Sequence, residues 1–289
     1  MSDQDQRVRG QRSGNLEPQS RKDEMSTEQL LVETIGHVLT LVLNRPEKRN
    51  ALTPNMLVRL HETLMQASSD DEIRTVVIRG QGDKAFSAGY DVTAIPTRIS
   101  PELQALLDKK SPFELALDSI INFPFPVIAM LNGYAFGGAC DLAIACDMRI
   151  AADDIQMGMV PARLGMVYFP DGIQRFIRTI GWPNTKEMFF TARRYKAVQL
   201  KAMGLVNDLV PREELESVTY GLAGEIAQNA PLSLKGIKRI MNLIASSESL
   251  DTSALEEARH LIEGALASRD LKEGQAAFLE KRKPKFKGH

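Results

Sequence analysis

The spacing of apolar residues changes several times along the chain, and each change predicts an element. LLVETI and HVLTLVLN, two short runs rich in Leu, Val and Thr and separated by Gly36, predict a β-hairpin beginning at Leu30. Thr53 and Pro54 have the chemistry of an N-cap and first helical position, and Leu57, Leu60, Leu64 and Ala67 then fall on one helical face. Thr75 to Ile78 predicts a buried strand, and Phe113 to Ile121 predicts a helix that stops at the FPFP of residues 123–126. Val127 to Leu131 is apolar throughout, as a strand buried on both faces requires. The next stretch, NGYAFGGACDLAIACD from Asn132 to Asp147, turns and enters a helix through Gly137 and Gly138.

Beyond it, Met148 to Ala151 predicts a strand, Met157 to Gly172 a loop, and Ile173, Phe176, Ile177 and Ile180 a helix face. A helix ending at Gly204 leads to a short segment, Leu205 to Val210. The last third reads as helices over Glu213 to Asn229, Leu232 to about Ser246, Thr252 to Ala267 and Asp270 to Lys281, with a basic tail, KRKPKFKGH. The expected fold class is therefore α/β, with a flexible polar extension at 1–25, a strand–helix core at 26–210 and a helical region at 211–289.

Composition narrows the function. A chain of 289 residues, 43% of them hydrophobic, can bury a full core, and a formal net charge of −1 supplies no basic field for nucleic acid. Cys140 and Cys146 lie six apart in one predicted helix, which suits neither a disulfide framework nor a zinc pair and fits buried thiols in a reducing compartment; a cytoplasmic location is expected. No apolar run approaches the roughly 20 residues that span a bilayer, so no membrane partner is expected. His37, His61, His260 and His289 all fall outside the glycine-rich stretches, and no metal-ligand spacing occurs; the expectation is no metal and no catalytic Ser-His-Asp set.

Two glycine-bearing segments remain. AFSAGYD, Ala85 to Asp91, is bare at Ala88-Gly89 just before Tyr90, and reads either as a bend exposing amides or as a plain strand-to-loop turn. Gly137-Gly138 opens a helix whose first N–H groups lack internal partners and whose dipole favours negative charge. Two such amide sites are the raw material of an oxyanion hole. Asp141, one turn in, reads equally as a catalytic carboxylate or as ordinary dipole compensation, and Tyr168 as a substrate hydrogen-bonder or a packing residue.

Taken together, AFSAGYD, NGYAFGGACDLAIACD, the earlier NRPEKRNAL and the later EGQAAFLEKRKPKF resemble the enoyl-CoA hydratase/isomerase, or crotonase, superfamily from about Leu30 to His289. The resemblance implies a spiral of ββα units and a C-terminal helical region that builds homotrimers or homohexamers. It implies an acyl-CoA substrate with no separate cofactor, coenzyme A being part of the thioester. It also implies that the N–H groups of Tyr90 and Gly138 hold the thioester oxygen. Lys48, Arg49, Ala51, Ala88 and Asp91 would lie along the CoA entrance, and Phe278 and Lys281 at its nucleotide end.

Departures from the family's hydratase pattern carry the functional expectation. Where hydratases place two glutamates, this chain has Asp141 and Pro161, so the paired carboxylates for water addition are missing. A closer likeness within the superfamily is to its methylmalonyl-CoA decarboxylases, which share a VP-x-x-LG loop, a Tyr at the Tyr168 position and the FLEKRKP tail; their oxyanion-loop residue is usually His where Tyr90 stands. Decarboxylation of methylmalonyl-CoA to propionyl-CoA is the expected lyase activity, with Tyr168 orienting the carboxylate. Hydration or isomerisation using Asp141 alone, and a non-catalytic CoA-binding scaffold, are the alternatives.

Overall fold

The computed structural model describes residues 28–94, 110–246, 252–282 and 284–285. The expected extension at 1–25 and most of the expected cover at 92–112 lie outside them. The chain opens with β1 (Leu30–Ile35) and β2 (Val38–Leu43), the expected hairpin, antiparallel with Leu30 opposite Leu43. Helix α1 (Pro54–Ala67) follows; Thr53 accepts from the Met56 N–H as the N-cap, and Met56, Leu57, Leu60 and Leu64 are buried.

The pattern then repeats. β3 (Thr75–Gly80) and β4 (Ala85–Ser87) precede α2 (Pro112–Asn122), which starts with a reciprocal Ser111–Glu114 capping box. β5 (Val127–Leu131) and β6 (Tyr134–Phe136) precede α3 (Gly138–Ala145). β7 (Met148–Ala152) and β8 (Gln156–Gly158) precede α4 (Pro170–Thr191), bent where Gly181 leaves helical geometry just before Pro183.

Each repeat sends its first strand to one sheet and its second to another. β3, β5 and β7 run parallel in a six-stranded sheet ordered β1-β2-β3-β5-β7-β10, β10 being Asp208–Val210, while β4, β6 and β8 lie in a four-stranded sheet closed by β9 (Tyr195–Lys196). Successive ββα units therefore spiral. β5 is buried at every position between β3 and β7, as its apolar run requires.

After α5 (Ala197–Ala202), β10 (Asp208–Val210) pairs parallel with β7. Helix α6 (Leu215–Ala227) lies on the large sheet: Thr75 Oγ1 donates to the Ala223 carbonyl at 3.2 Å, and Thr40 and Tyr220 share a hydroxyl–hydroxyl bond of 3.1 Å. α7 (Pro231–Ser246), α8 (Thr252–Ala267) and α9 (Arg269–Leu279) complete the chain, within a residue or two of the expected spans.

The stretch 157–172 differs from the single loop expected. Met157 belongs to β8, residues 161–164 form a 3-10 turn, and the helix begins at Pro170. Pairing with β6 and β9 gives Gln156–Gly158 a strand ladder that its Met and Gly residues do not announce. Among the described residues no helix is long and apolar enough to cross a membrane.

Candidate active site

The site is built where the β4 loop meets the start of α3. Gly89 has φ +102°, and a Cβ there would lie 2.4 Å from the Phe136 carbonyl oxygen. Gly137, the N-cap of α3, has φ 55° and ψ −122°. A side chain is strained at both, and each glycine sets the direction of the peptide after it. Those following residues are Tyr90 and Gly138. A Cβ on Gly138 would stand 3.4 Å from the Tyr90 nitrogen, so the two amide nitrogens are neighbours although 48 positions separate them.

Backbone bonds hold both segments. The Gly137 N–H donates to the Gly158 carbonyl at 2.9 Å, tying α3 to β8; Leu52 N–H donates to the Gly89 carbonyl at 2.8 Å, and Asp91 N–H to the Leu52 carbonyl at 2.9 Å. Phe113 of α2 packs edge-on to Tyr90, with ring centroids 6.0 Å apart, and its ring edge would be 3.2 Å from a Cβ on Gly138. The position beside the two amides thus has an apolar wall, where partial charges act through a lower dielectric than water. As the first residue of α3, Gly138 has no intrahelical acceptor for its N–H.

Asp141 is buried, 1% exposed, one turn into α3. Its carboxylate is fully engaged. Arg175 of α4 donates Nε–H to Oδ1 at 2.8 Å and Nη2–H to Oδ2 at 2.9 Å, and the Tyr168 hydroxyl donates to Oδ2 at 2.9 Å. Burial works to lower the Arg175 pKa, but the hydrogen bonds to Asp141 outweigh it and the net shift is upward. Burial, then the Asp141 charge and hydrogen bond, raise Tyr168 well above its ordinary value, so the phenol stays neutral. Its single hydroxyl hydrogen is directed to Asp141, whereas the expectation was a bond toward substrate.

Arg175 went unread in the sequence. The available signal was Gly172, one turn earlier on the same helix face, where a Cβ would meet the Tyr168 ring at 2.4 Å and Asp141 Oδ2 at 2.9 Å. A missing side chain there lets the α4 backbone come up to the carboxylate that Arg175 binds. Phe113 went unread as well, because its helical spacing explains it equally as core.

The expected CoA-entrance residues form one laced surface. Lys48 and Arg49 are exposed in the turn before Asn50, and Ala88 N–H donates to the Arg49 carbonyl at 2.9 Å. Arg45 Nη1 donates to the Ala51 carbonyl at 2.9 Å and to Asp91 at 3.2 Å. Burial works against the charge on Asp91, yet hydrogen bonds from Thr93 and Arg45 hold its carboxyl below the ordinary value. Asp91 therefore braces the loop. Phe278 and Lys281 are exposed at the end of α9, joined by a bond from the Lys281 N–H to the Phe278 carbonyl, and one turn earlier Gln275 donates to the Val92 carbonyl at 3.5 Å. Among the described residues there is no group of three or more His, Cys, Asp or Glu side chains able to hold a metal ion.

The sequence profile of enoyl-CoA hydratase/isomerase matches residues 33–289. The chain belongs to that family. Methylmalonyl-CoA decarboxylase of Escherichia coli (strain K12) is 34% identical over 269 residues, covering 92% of this chain and all of the relative. A 2,3-dehydroadipyl-CoA hydratase of the same organism is also 34% identical, covering 90% of this chain and 99% of its own. Among solved structures, methylmalonyl-CoA decarboxylase in complex with 2-nitronate-propionyl-CoA superposes with a TM-score of 0.82 at 33% identity, covering 91% of this chain and 99% of that one. The spiral of ββα units is thus the crotonase fold, and the chain is an acyl-CoA enzyme of the enoyl-CoA hydratase/isomerase family.

Proposed function

We propose that this family member decarboxylates a malonyl-type acyl-CoA, with methylmalonyl-CoA giving propionyl-CoA as the reaction. The observation that carries this reading is the engagement of Asp141: both its oxygens accept from Arg175, and one also accepts from Tyr168. Adding water to an enoyl thioester needs a group to take a proton from water and a group to deliver one to carbon. Here the acid position one turn into α3 is bound in an ion pair, and the loop position that would supply a second carboxylate is Pro161.

Decarboxylation asks for less. The bond between the α-carbon and the carboxylate breaks, CO2 departs, and the electron pair remains as an enolate with charge on the thioester oxygen; the α-carbon then takes a proton. The Tyr90 and Gly138 amides, at the positive end of α3, are suited to hold that oxygen, each donor contributing about 3–4 kcal/mol where such holes have been dissected. Met159 is buried, and Val160, whose Cγ2 would be 3.4 Å from a Cβ on Gly137, supplies apolar surface close by. Such a lining favours a dispersed enolate over a hydrated carboxylate. Tyr168 serves by holding Asp141.

The test is to supply methylmalonyl-CoA and malonyl-CoA, measure CO2, and identify the acyl-CoA product by mass. Propionyl-CoA from the first is expected. In parallel, crotonyl-CoA is followed through the absorbance of its conjugated double bond; its loss, with no turnover of either malonyl-type thioester, would replace this reading with hydration.

A further inference from the structure

We propose that Arg175 is a positioning residue that cancels the charge of Asp141, so that the start of α3 can accept the negative charge formed on the acyl group. The proposal rests on the enolate-forming reading above and names the residue that makes the site tolerant of an anion. Asp141 sits one turn from Gly138, about 5–6 Å along a helix face. An unbalanced carboxylate at that range opposes any charge developing at the Tyr90 and Gly138 amides. Two unit charges about 6 Å apart, at an effective dielectric of about 20, correspond to roughly a hundredfold in an equilibrium.

The geometry is that of compensation. The guanidinium fork meets both oxygens of Asp141, the paired side chains are 20% and 1% exposed, and Gly172 removes the side chain that would hold the two helices apart. The other groups facing the pair add little opposing charge. Tyr168 is a neutral donor, Cys140 is a buried thiol pushed up to about 12, and Asp171, a further carboxylate acting on Arg175, is exposed at the start of α4, where solvent screens it.

Binding tests this without requiring turnover. The probes are 2-nitronate-propionyl-CoA, an anion with enolate-like charge, and propionyl-CoA, its neutral counterpart. Wild type is expected to favour the nitronate. Arg175→Met should lose on the order of a hundredfold for the nitronate and less than about threefold for propionyl-CoA, and Asp141→Asn/Arg175→Met should recover most of that loss. Arg175→Lys, which keeps the charge without the fork, should fall between.

Equal weakening of both ligands in Arg175→Met, or no recovery in the double variant, overturns the proposal. If Arg175→Met does not fold, Asp141→Asn decides: it leaves the arginine unbalanced, so it should bind the nitronate more tightly than the double variant, and equal affinity overturns the proposal. A wild type that binds both probes equally would instead remove the enolate reading itself.

Discussion

At its first turn, α3 begins beside Tyr90 with a glycine on each side of the Gly137–Gly138 peptide, and its one acid is balanced by Arg175. At its last turn, the carbonyls of Ala143, Ile144 and Cys146 all accept from Nη1 of Arg149, whose Nε also donates to the Leu205 carbonyl at 2.7 Å. Both ends use an arginine, buried at Arg149 and partly exposed at Arg175, for different purposes. Arg149 satisfies the carbonyls a helix leaves unpaired, placing positive charge where the dipole is negative. Arg175 binds a side chain, and the Gly138 N–H at the other end has no intrahelical acceptor. The shifts follow: burial lowers the pKa of Arg149, whereas bonding to Asp141 overcomes burial at Arg175. One end is closed by the fold; the other is the end proposed above to hold the acyl oxygen.

The largest expected effect is at the closed end. Arg149→Met leaves buried carbonyls without donors, and a loss of roughly 3–5 kcal/mol in stability is expected. Denaturant unfolding measures it. Decarboxylation per folded molecule should change by less than about twofold, since nothing at Gly138 is touched. A fall in turnover with stability intact would break the distinction between the two ends.

Gly89→Ala makes the reverse trade. The added Cβ meets the Phe136 carbonyl oxygen at 2.4 Å, and φ +102° is unfavourable for alanine, so the peptide carrying the Tyr90 N–H must shift. Loss of one aligned donor should cut turnover about 10²- to 10³-fold, roughly 3–4 kcal/mol in the barrier. Steady-state kinetics on methylmalonyl-CoA would register this in kcat more than in KM. An unchanged kcat would remove the Tyr90 amide from the proposed mechanism.

How the two ends were legible in the sequence differs for a physical reason. The open end is written locally: Gly137, Gly138 and Asp141 lie within five consecutive residues, and a glycine pair opening an apolar helix marks an end whose first N–H groups lack internal partners. Thr53-Pro54, the run at β5 and the hairpin at Gly36 were readable on the same grounds, because caps, turns and burial on both faces act over a few residues.

The arginines were not readable this way. Arg175 reaches Asp141 across 34 positions, and Arg149 reaches Leu205 across 56, so each partner is set by how ββα units stack rather than by spacing along the chain. The same holds for β8, whose ladder comes from β6 and β9. Resemblance to a family supplied the neighbouring of Tyr90 and Gly138. It did not supply the ion pair, because the motifs that carry the resemblance do not include Arg175.

The smallest expected effect sharpens the view of the open end. Tyr168→Phe removes one of the three hydrogen bonds to the Asp141 carboxylate while Arg175 keeps the other two, so stability should fall by about 1–2 kcal/mol and turnover by roughly tenfold. The pH dependence gives a cleaner signature. The folded pKa of Tyr168 lies well above its ordinary 10.0, because burial and the Asp141 charge disfavour the phenolate. A raised pKa contributes stability in full below the unfolded value and loses it as pH rises toward the folded one. The advantage of wild type over Tyr168→Phe should therefore be constant through neutral pH and shrink only above about pH 10. Paired denaturation curves at pH 7, 9 and 11 measure it. A difference that grows between pH 7 and 9 would mean that the hydroxyl ionises in the folded protein before it does in the unfolded chain, and that Asp141 accepts its bond from some other donor.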